Sequence, residues 1–383
     1  MDRIYFDHAA TTPVSKKVLD KMMPYFSDVF GNAHSQHAFG RQAIKGVDEA
    51  RSQVAKAIGC LPNEVYFTGS GTEANNWAVK GAALAKKAKG KHIITSQIEH
   101  PSVLNNCKWL EKQGFEVTYL PVDSEGFVLV DELKKAMRED TILVSIMLAN
   151  NEVGSIQPYK QINEVVKQYK GCLYHVDAVQ AIGAIKVDVK DIGCDLLTLS
   201  GHKFYGPKGV GALYIAKHIN INPIIFGGGQ ENKLRSGTEN VAGIIGFGKA
   251  AEIANSLISQ NNASYMQFKD ILKDTISNIV DNFEEISTEN GAPNIFTLAF
   301  KNIKSEVVLH MLEPKGFFVG NGSACSSKQL YSRLAMELNL PKEYAEGIIR
   351  ICFSKFNTVD DVKQLGETLG NTIKTLRKIM GVK

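Results

Sequence analysis

The stretch LTLSGHKFYGPKG, residues 197–209, places a histidine and a lysine directly after a short apolar run and before a glycine-rich turn. The apolar run predicts a buried strand that ends at Ser200. A lone lysine in such a turn is most often a surface residue. A strand end with a neighbouring hydroxyl and imidazole, however, can lower the pKa of an amine and bind a phosphate beside it. Lys203 is therefore a candidate for covalent attachment to a carbonyl compound.

Short apolar runs alternate with longer amphipathic runs on both sides of this stretch. Runs typical of strands cover residues 64–69, 91–96, 115–122, 141–148, 172–178, 195–200 and 210–215. Runs with helical periodicity lie between several of them, at 72–88, 101–113, 131–138 and 160–169. This alternation predicts an α/β fold with a mainly parallel sheet and helices on both faces. Such sheets bind ligands at the carboxyl ends of their strands.

The pattern changes after about residue 255. A helical run leads into the apolar runs 294–300 and 348–354, and a long helical pattern closes the chain from 358 to 380. This order of elements predicts a smaller α+β domain. We therefore expect a large domain over residues 13–259 and a small domain formed by residues 1–12 and 260–383.

Composition excludes several classes of protein. The net charge of +4 is mild and dispersed, without a block of lysine and arginine, so we expect no nucleic-acid partner. Six cysteines without a C-x-x-C pair indicate neither a zinc site nor a thioredoxin motif. The N-terminus does not resemble a signal peptide, and we expect no membrane-spanning stretch, so the predicted location is the cytoplasm.

A carboxylate follows the apolar run before Lys203. Asp177, in YHVDAVQ, comes at a predicted strand end, with Gln180 three residues later. A carboxylate there needs a partner, because an unpaired buried charge is costly. A pyridinium nitrogen is one suitable partner and would keep such a ring protonated as an electron sink. An ordinary turn or helix-capping aspartate is the alternative.

The stretch FTGSGTEANN, residues 67–76, passes from a strand into a helix. Backbone amides at Gly71, Thr72 and Glu73 would form an anion site at the start of that helix. The same residues fit the dinucleotide pattern G-x-G-x-x-A, which is weak alone. The acidic residue expected about 20 positions later is missing from the end of the next strand, so we favour the anion site.

Three further polar residues occupy positions of interest. His100 lies between a strand and a helix, and Asn150 follows another strand, where turn residues are common. Arg350 lies inside the apolar run IIRICF. A guanidinium among isoleucine and phenylalanine needs an anion, and a two-pronged contact with a carboxylate is the obvious one. An internal salt bridge is the alternative.

Cys325 lies in GNGSACSS, residues 320–327, among small residues that are typical of a mobile loop. Structural cysteines usually lie among aliphatic residues, and this one does not. Glycines permit such a segment more than one position. The local sequence alone does not assign the thiol a role.

These residues together resemble a known family. The sequence contains the following segments in this order: DHAATTPV, FTGSGTEANN, IEHPSV, NNEVG, HVDAVQ, LSGHKFYGPKG, GGGQE, LRSGTEN and GSACSS. The chain closely resembles the NifS/IscS-like cysteine desulfurases, which are pyridoxal 5'-phosphate (PLP) enzymes of the aspartate aminotransferase fold (fold type I). The resemblance extends from residue 4 to about residue 375.

The resemblance implies a role for each candidate residue. Lys203 is then the lysine that binds the cofactor covalently, Asp177 pairs with the pyridinium nitrogen, and Cys325 is the nucleophile. His100 stacks on the ring and transfers protons. The remaining implied cofactor contacts are Gln180 to the ring oxygen, Asn150, and Gly71, Thr72, Ser200, His202 and the second subunit's Thr238 to the phosphate. The implied contacts to the substrate carboxylate are Arg350, Asn150 and Asn32.

The resemblance also implies a reaction, in which L-cysteine becomes L-alanine and leaves a persulfide on Cys325. It implies a homodimer with shared sites and a sulfur-acceptor protein, such as an iron–sulfur scaffold or a partner in thio-cofactor or tRNA biosynthesis; no metal is expected. Alternatives are a selenocysteine lyase or a C–S lyase that releases sulfide without Cys325. A further alternative is a sulfur-delivery partner whose activity depends on a scaffold or accessory protein. A dehydrogenase is the alternative that the sequence favours least.

Overall fold

Two sheets organise residues 3–321 and 333–381, which are the residues that our computed structural model describes. Their strands are β1 (Ile4–Phe6), β2 (Val65–Thr68), β3 (His92–Ser96), β4 (Glu116–Leu120), β5 (Thr141–Ser145), β6 (Leu173–Asp177), β7 (Leu196–Ser200), β8 (Gly211–Ile215), β9 (Phe283–Glu285), β10 (Ile295–Phe300), β11 (Phe317–Asn321) and β12 (Ile348–Cys352). Each long apolar run predicted to be a strand is a strand, with ends that differ by a few residues.

Helices connect and cover these strands. They are α1 (Lys16–Met22), α2 (Pro24–Ser27), α3 (Ala38–Ile58), α4 (Gly71–Asn76), α5 (Ala82–Lys86), α6 (Pro101–Lys112), α7 (Val130–Ala136), α8 (Tyr159–Val166), α9 (Val189–Ile192), α10 (Val241–Ser277), α11 (Ser305–Leu312), α12 (Arg333–Glu337), α13 (Lys342–Ala345) and α14 (Val359–Met380). A π-helical turn, Trp77–Gly81, joins α4 to α5.

The larger sheet has the strand order β2-β8-β7-β6-β5-β3-β4. Its central strands pair in parallel, and β8 is antiparallel to both of its neighbours. Strands β3, β5, β6 and β7 are buried throughout, as expected when helices cover both faces of a parallel sheet. The predicted α/β fold is therefore confirmed. Parallel pairing aligns the carboxyl ends of β6 and β7, which are Asp177 and Ser200.

The smaller sheet has the order β1-β11-β12-β10-β9. Strand β1 pairs in parallel with β11, so the N-terminus begins in this sheet. Residues 7–15 then run alongside the turn that carries Lys203, with hydrogen bonds to both His202 and Tyr205. The N-terminal segment therefore connects the two sheets.

Helix α10 runs without a break through residues 259 and 260, where we expected the domain boundary, and it packs on both α3 and α14. By length and composition it is the one helix of the described chain that could cross a membrane. Of its most apolar stretch of 18 residues, 56% is buried inside the protein. Core helices of soluble proteins can be equally long and apolar. The domain boundaries themselves stay a prediction.

Candidate active site

Lys203 lies in a helical turn, Gly201–Lys203, that follows β7 directly. Its Nζ donates hydrogen bonds to the carbonyl oxygens of Ala9, at 2.6 Å, and Ala10, at 2.9 Å. Burial, followed by the positive charge of Arg350, lowers the pKa of the amine to about 8. The amine therefore has a much larger neutral, nucleophilic fraction near neutral pH than an ordinary lysine has.

Asp177 ends the neighbouring strand β6 and is 6% exposed. Its Oδ2 accepts a hydrogen bond from Asn75 Nδ2 at 2.7 Å, and its Oδ1 accepts one from the backbone N–H of Val179 at 2.9 Å. Among residues 3–321 and 333–381, no lysine or arginine lies within ion-pair distance of this carboxylate. The chemistry of this carboxylate therefore fits a cationic ring nitrogen as a ligand group.

Two polar side chains connect Asp177 with His100. Asn75 Nδ2 also donates to Ser102 Oγ at 2.8 Å, and Ser102 Oγ lies 2.7 Å from His100 Nδ1. His100 precedes α6, and its ring accepts a hydrogen bond from the Ser102 amide. Burial lowers the pKa of the imidazole, and the charge of Lys203 contributes in the same direction. The network therefore fixes the orientation of a neutral His100.

Sequence reasoning missed Asn75 and Ser102. Both are buried polar residues on helices that follow strands, and Asn75 Oδ1 has no hydrogen-bond partner in the described part of the chain. The sequence signal that could have indicated Asn75 is an amide on the predicted buried face of α4, because a buried polar group needs a hydrogen-bond partner.

Several candidate phosphate contacts lie where α4 begins. A side-chain carbon at Gly71 would lie 3.0 Å from Ser200 Cβ, so the start of the helix packs closely on the end of β7. Thr72 is exposed and Ser200 is buried. His202 Nδ1 lies 3.1 Å from Thr11 Oγ1, and burial lowers the pKa of His202 to about 4. Gly71, Thr72 and Ser200 therefore lie together at a helix start, which suits an anion.

Thr238 is exposed on the loop before α10. In the same loop, Arg235 forms an ion pair with Glu73, with 2.8 Å between Nε and Oε1. Glu73 lies in the first turn of α4 and also accepts a hydrogen bond from the Gly69 amide at 2.9 Å. The loop is thus anchored to the helix of the candidate phosphate site, and Thr238 stays accessible to another molecule.

Arg350 lies in the middle of β12 and is 8% exposed. Its Nη2 is 2.7 Å from Asp7 Oδ1, and its Nη1 donates to the Asn151 carbonyl at 2.8 Å. Its Nε is buried without a partner in the described chain. The internal salt bridge that we considered is therefore present, with a residue that sequence reasoning missed. One nitrogen of the guanidinium, Nε, therefore makes no hydrogen bond to the described residues.

The remaining candidates form hydrogen bonds with backbone groups of the protein. Gln180 Nε2 donates to the Ala9 carbonyl at 2.9 Å, the same oxygen that Lys203 contacts. Asn150 Oδ1 accepts from the amides of Glu152 and Val153, which closes a turn. Asn32 is exposed, and its Oδ1 accepts from the His34 amide at 2.9 Å. Cys325 lies outside the described residues.

Comparison with known proteins is consistent with this geometry. The family called aminotransferase class-V matches residues 4–365. The chain is 46% identical to the cysteine desulfurase IscS of Methanosarcina thermophila, over 98% of this chain and 93% of that protein. A solved NifS-like protein covers 98% of this chain and 100% of its own, with 38% identity and a TM-score of 0.91. The protein SspA, solved in complex with cysteine, covers 92% of this chain and 99% of its own, with 34% identity and a TM-score of 0.81.

Proposed function

The chain belongs to the class-V aminotransferases, and we propose that its described site serves the PLP-dependent cysteine desulfurase activity that its relatives carry. One observation carries the assignment of the site. A lysine with a pKa of about 8 directly follows β7, and a buried carboxylate with no cationic partner among the described residues ends the adjacent parallel strand β6. When bound, PLP supplies an electron sink for bond changes at the carbon next to the substrate carboxylate.

The residues of the strand ends would hold the cofactor. Lys203 would bind it covalently and then move the proton of the carbon next to the substrate carboxylate, since its lowered pKa gives the amine a larger neutral fraction near neutral pH. Asp177, oriented by Asn75, would pair with the ring nitrogen. Gln180 would contact the ring oxygen, and His100 would cover the ring face. The proposed phosphate contacts are Gly71, Thr72, Ser200 and His202, with Thr238 from a second copy of the chain.

The substrate would be L-cysteine, as the solved complex of SspA suggests by similarity. Arg350 would bind its carboxylate through the guanidinium, with Asn150 and Asn32 as neighbouring amides. The bond between the β-carbon and the sulfur would then break, and its electron pair would stay with the β-carbon. Protonation of the β-carbon, with return of the α-proton by Lys203, would give L-alanine.

Cys325 would accept the sulfur. We assign it from the segment GSACSS, because the residue lies outside the described structure. Its thiolate would attack the sulfur of the substrate, so that an S–S bond forms as the C–S bond breaks. His100 would receive the thiol proton, which its neutral imidazole can do. The resulting persulfide would pass to a sulfur-acceptor protein, for iron–sulfur cluster or other thio-cofactor assembly in the cytoplasm.

A homodimer would complete the site. Large apolar side chains are exposed along the N-terminal segment from α1 to the start of α3, at Leu19, Met23, Phe26, Phe30 and Phe39. His34 lies within this segment and contacts Glu239, the neighbour of Thr238, with 2.6 Å between Nε2 and Oε1. This apolar surface therefore adjoins the loop that would contact the second subunit's cofactor. Full activity in a species that sediments as a monomer would disprove the shared site.

The decisive experiment has two measurements. Borohydride reduction of the holoenzyme and peptide mapping should place a pyridoxyl group on Lys203, and Lys203→Ala should abolish the yellow absorbance and turnover. Under single-turnover conditions, Cys325→Ser should keep the cofactor yet release alanine orders of magnitude more slowly. A rate near wild type would instead favour a lyase that releases sulfide or selenide directly. A pyridoxyl group on another lysine would overturn the assignment of the site.

A further inference from the structure

Tyr205 has an unusual backbone conformation two residues after Lys203. Its φ is 68°, in the left-handed region that glycine adopts freely and a bulky side chain rarely adopts. Of the seven such non-glycine residues in the described chain, four are asparagines, which tolerate this region. Tyrosine is not one of these tolerant residues. A strained residue beside a candidate catalytic group persists only where surrounding contacts hold it.

The N-terminal segment holds the backbone of Tyr205 on both sides. Its amide donates to Thr12 Oγ1 at 2.7 Å, and its carbonyl accepts from the Ser15 amide at 3.1 Å. Thr12 also donates, from its amide and its hydroxyl, to the carbonyl of His202. The residues on either side of Lys203 are thus bound by one segment. The same segment supplies the carbonyl groups that the Lys203 amine contacts.

The side chain of Tyr205 is held from the opposite direction, by the loop that follows β12. Lys355 Nζ lies 4.5 Å from the centre of the Tyr205 ring, and the ring of Phe356 meets it edge-on at 5.4 Å. The Lys355 amide also approaches the Tyr205 hydroxyl at 3.4 Å. This loop begins directly after the strand that carries Arg350. Tyr205 therefore connects the turn of Lys203 with the strand of Arg350.

We propose that Tyr205 is a positioning residue for Lys203. Its ring, clamped by Lys355 and Phe356, holds the left-handed backbone, and that backbone sets the direction in which Lys203 leaves its turn. The inference rests on the proposed function, because it assumes that Lys203 is the residue that bears the cofactor. The clamp also fixes the distance between Lys203 and Arg350, which must act on the same small substrate.

The test replaces the ring and keeps the backbone. Tyr205→Asn retains a residue that tolerates positive φ but removes the clamp. We expect the visible circular dichroism of the bound cofactor to change and kcat to fall about ten- to a hundred-fold, with a smaller change in KM, because a small misplacement costs that much. Tyr205→Phe, which keeps the ring, should rescue both properties. Asn302→Gly, at another left-handed residue, is the control for relief of backbone strain and should leave both unchanged.

A second variant keeps the test decisive if Tyr205→Asn does not fold. Phe356 is 52% exposed, so Phe356→Ala removes one side of the clamp at little cost to folding. It should change the circular dichroism in the same direction and by a smaller amount. If folded Tyr205→Asn shows wild-type dichroism and kcat, the inference is overturned. If Tyr205→Asn does not fold, wild-type values in Phe356→Ala overturn it instead. Peptide mapping separates that result from a failure of the proposed function. A pyridoxyl group on Lys203 keeps the proposed function, and a pyridoxyl group on another lysine overturns it.

Discussion

Asp7 and Arg350 form an ion pair although 343 positions separate them in the sequence, with 2.7 Å between Asp7 Oδ1 and Arg350 Nη2. The pair lies directly over Gly320, the partner of Arg350 in the pairing of β11 with β12. A side-chain carbon at Gly320 would come within 2.6 Å of Asp7 Oδ1 and 3.0 Å of Arg350 Nη2. Space for this ion pair therefore explains the glycine at position 320.

The first prediction concerns the stability of this pair. Asp7→Ala leaves the guanidinium of Arg350 buried without its anion, and we expect a loss of about 3 kcal/mol in the free energy of unfolding. Adding Arg350→Met should recover most of the loss, because the uncompensated charge then disappears. Urea unfolding of the two single variants and the double variant measures the coupling. Additive losses would contradict it.

The second prediction concerns substrate binding by Arg350. Arg350→Lys keeps a positive charge but cannot form a two-pronged contact, and we expect KM for L-cysteine to rise steeply while bound PLP stays stoichiometric. Arg350→Ala should lose about 2–5 kcal/mol in kcat/KM by the same reasoning. Steady-state kinetics and the visible absorbance provide both quantities. Unchanged kinetics would assign Arg350 to the ion pair with Asp7 alone.

The third prediction concerns the amine of Lys203. Only the neutral amine captures a carbonyl compound, and the lowered pKa of about 8 places its deprotonation there. The rate at which apoenzyme captures PLP should therefore rise with pH to a midpoint near 8 and then level. Arg350→Met should raise that midpoint, since the charge of Arg350 helps to lower the pKa. A midpoint above pH 10, typical of a free lysine, would contradict the burial of this amine.

The fourth prediction concerns Glu99, which sequence reasoning did not select. It is fully buried, its Oε1 accepts hydrogen bonds from Ser96 and the Met147 amide, and its Oε2 has no partner in the described chain. Burial raises the pKa of this carboxyl from 4.5 to about 8. Between these values the unfolded chain is ionised while the folded protein keeps the proton.

The stabilising contribution of protonated Glu99 is therefore complete below about pH 4.5 and is lost as pH rises towards 8. The loss is at most about 1.4 kcal/mol for each pH unit. Glu99→Gln removes the titration at nearly constant shape. Its free energy of unfolding, relative to wild type, should increase between pH 5 and 8 and then stay level. A difference between the two proteins that does not vary with pH would contradict the protonated state.

Much of the fold and part of the site could be predicted from the sequence. The strand runs alternate with helical runs, and local side chains determine both patterns, so the mainly parallel sheet was predictable. The placement of Lys203 and Asp177 near one edge of the sheet was predictable, because polar residues that follow parallel strands meet there, and their roles stay a prediction. Cys325 was noted for its small neighbours, its role as nucleophile was implied by the family resemblance, and that role stays a prediction, since the residue lies outside the described residues.

Only the tertiary structure decided which groups surround these residues. The carbonyls that contact Lys203 come from Ala9 and Ala10, more than 190 positions away, and the anion on Arg350 comes from Asp7. Asn75, which orients Asp177, is 102 positions from it. Periodicity and turn chemistry act between near neighbours along the chain. Contacts across hundreds of residues depend on how β1 pairs with β11 and how the N-terminal segment crosses to Lys203, and no local pattern encodes that path.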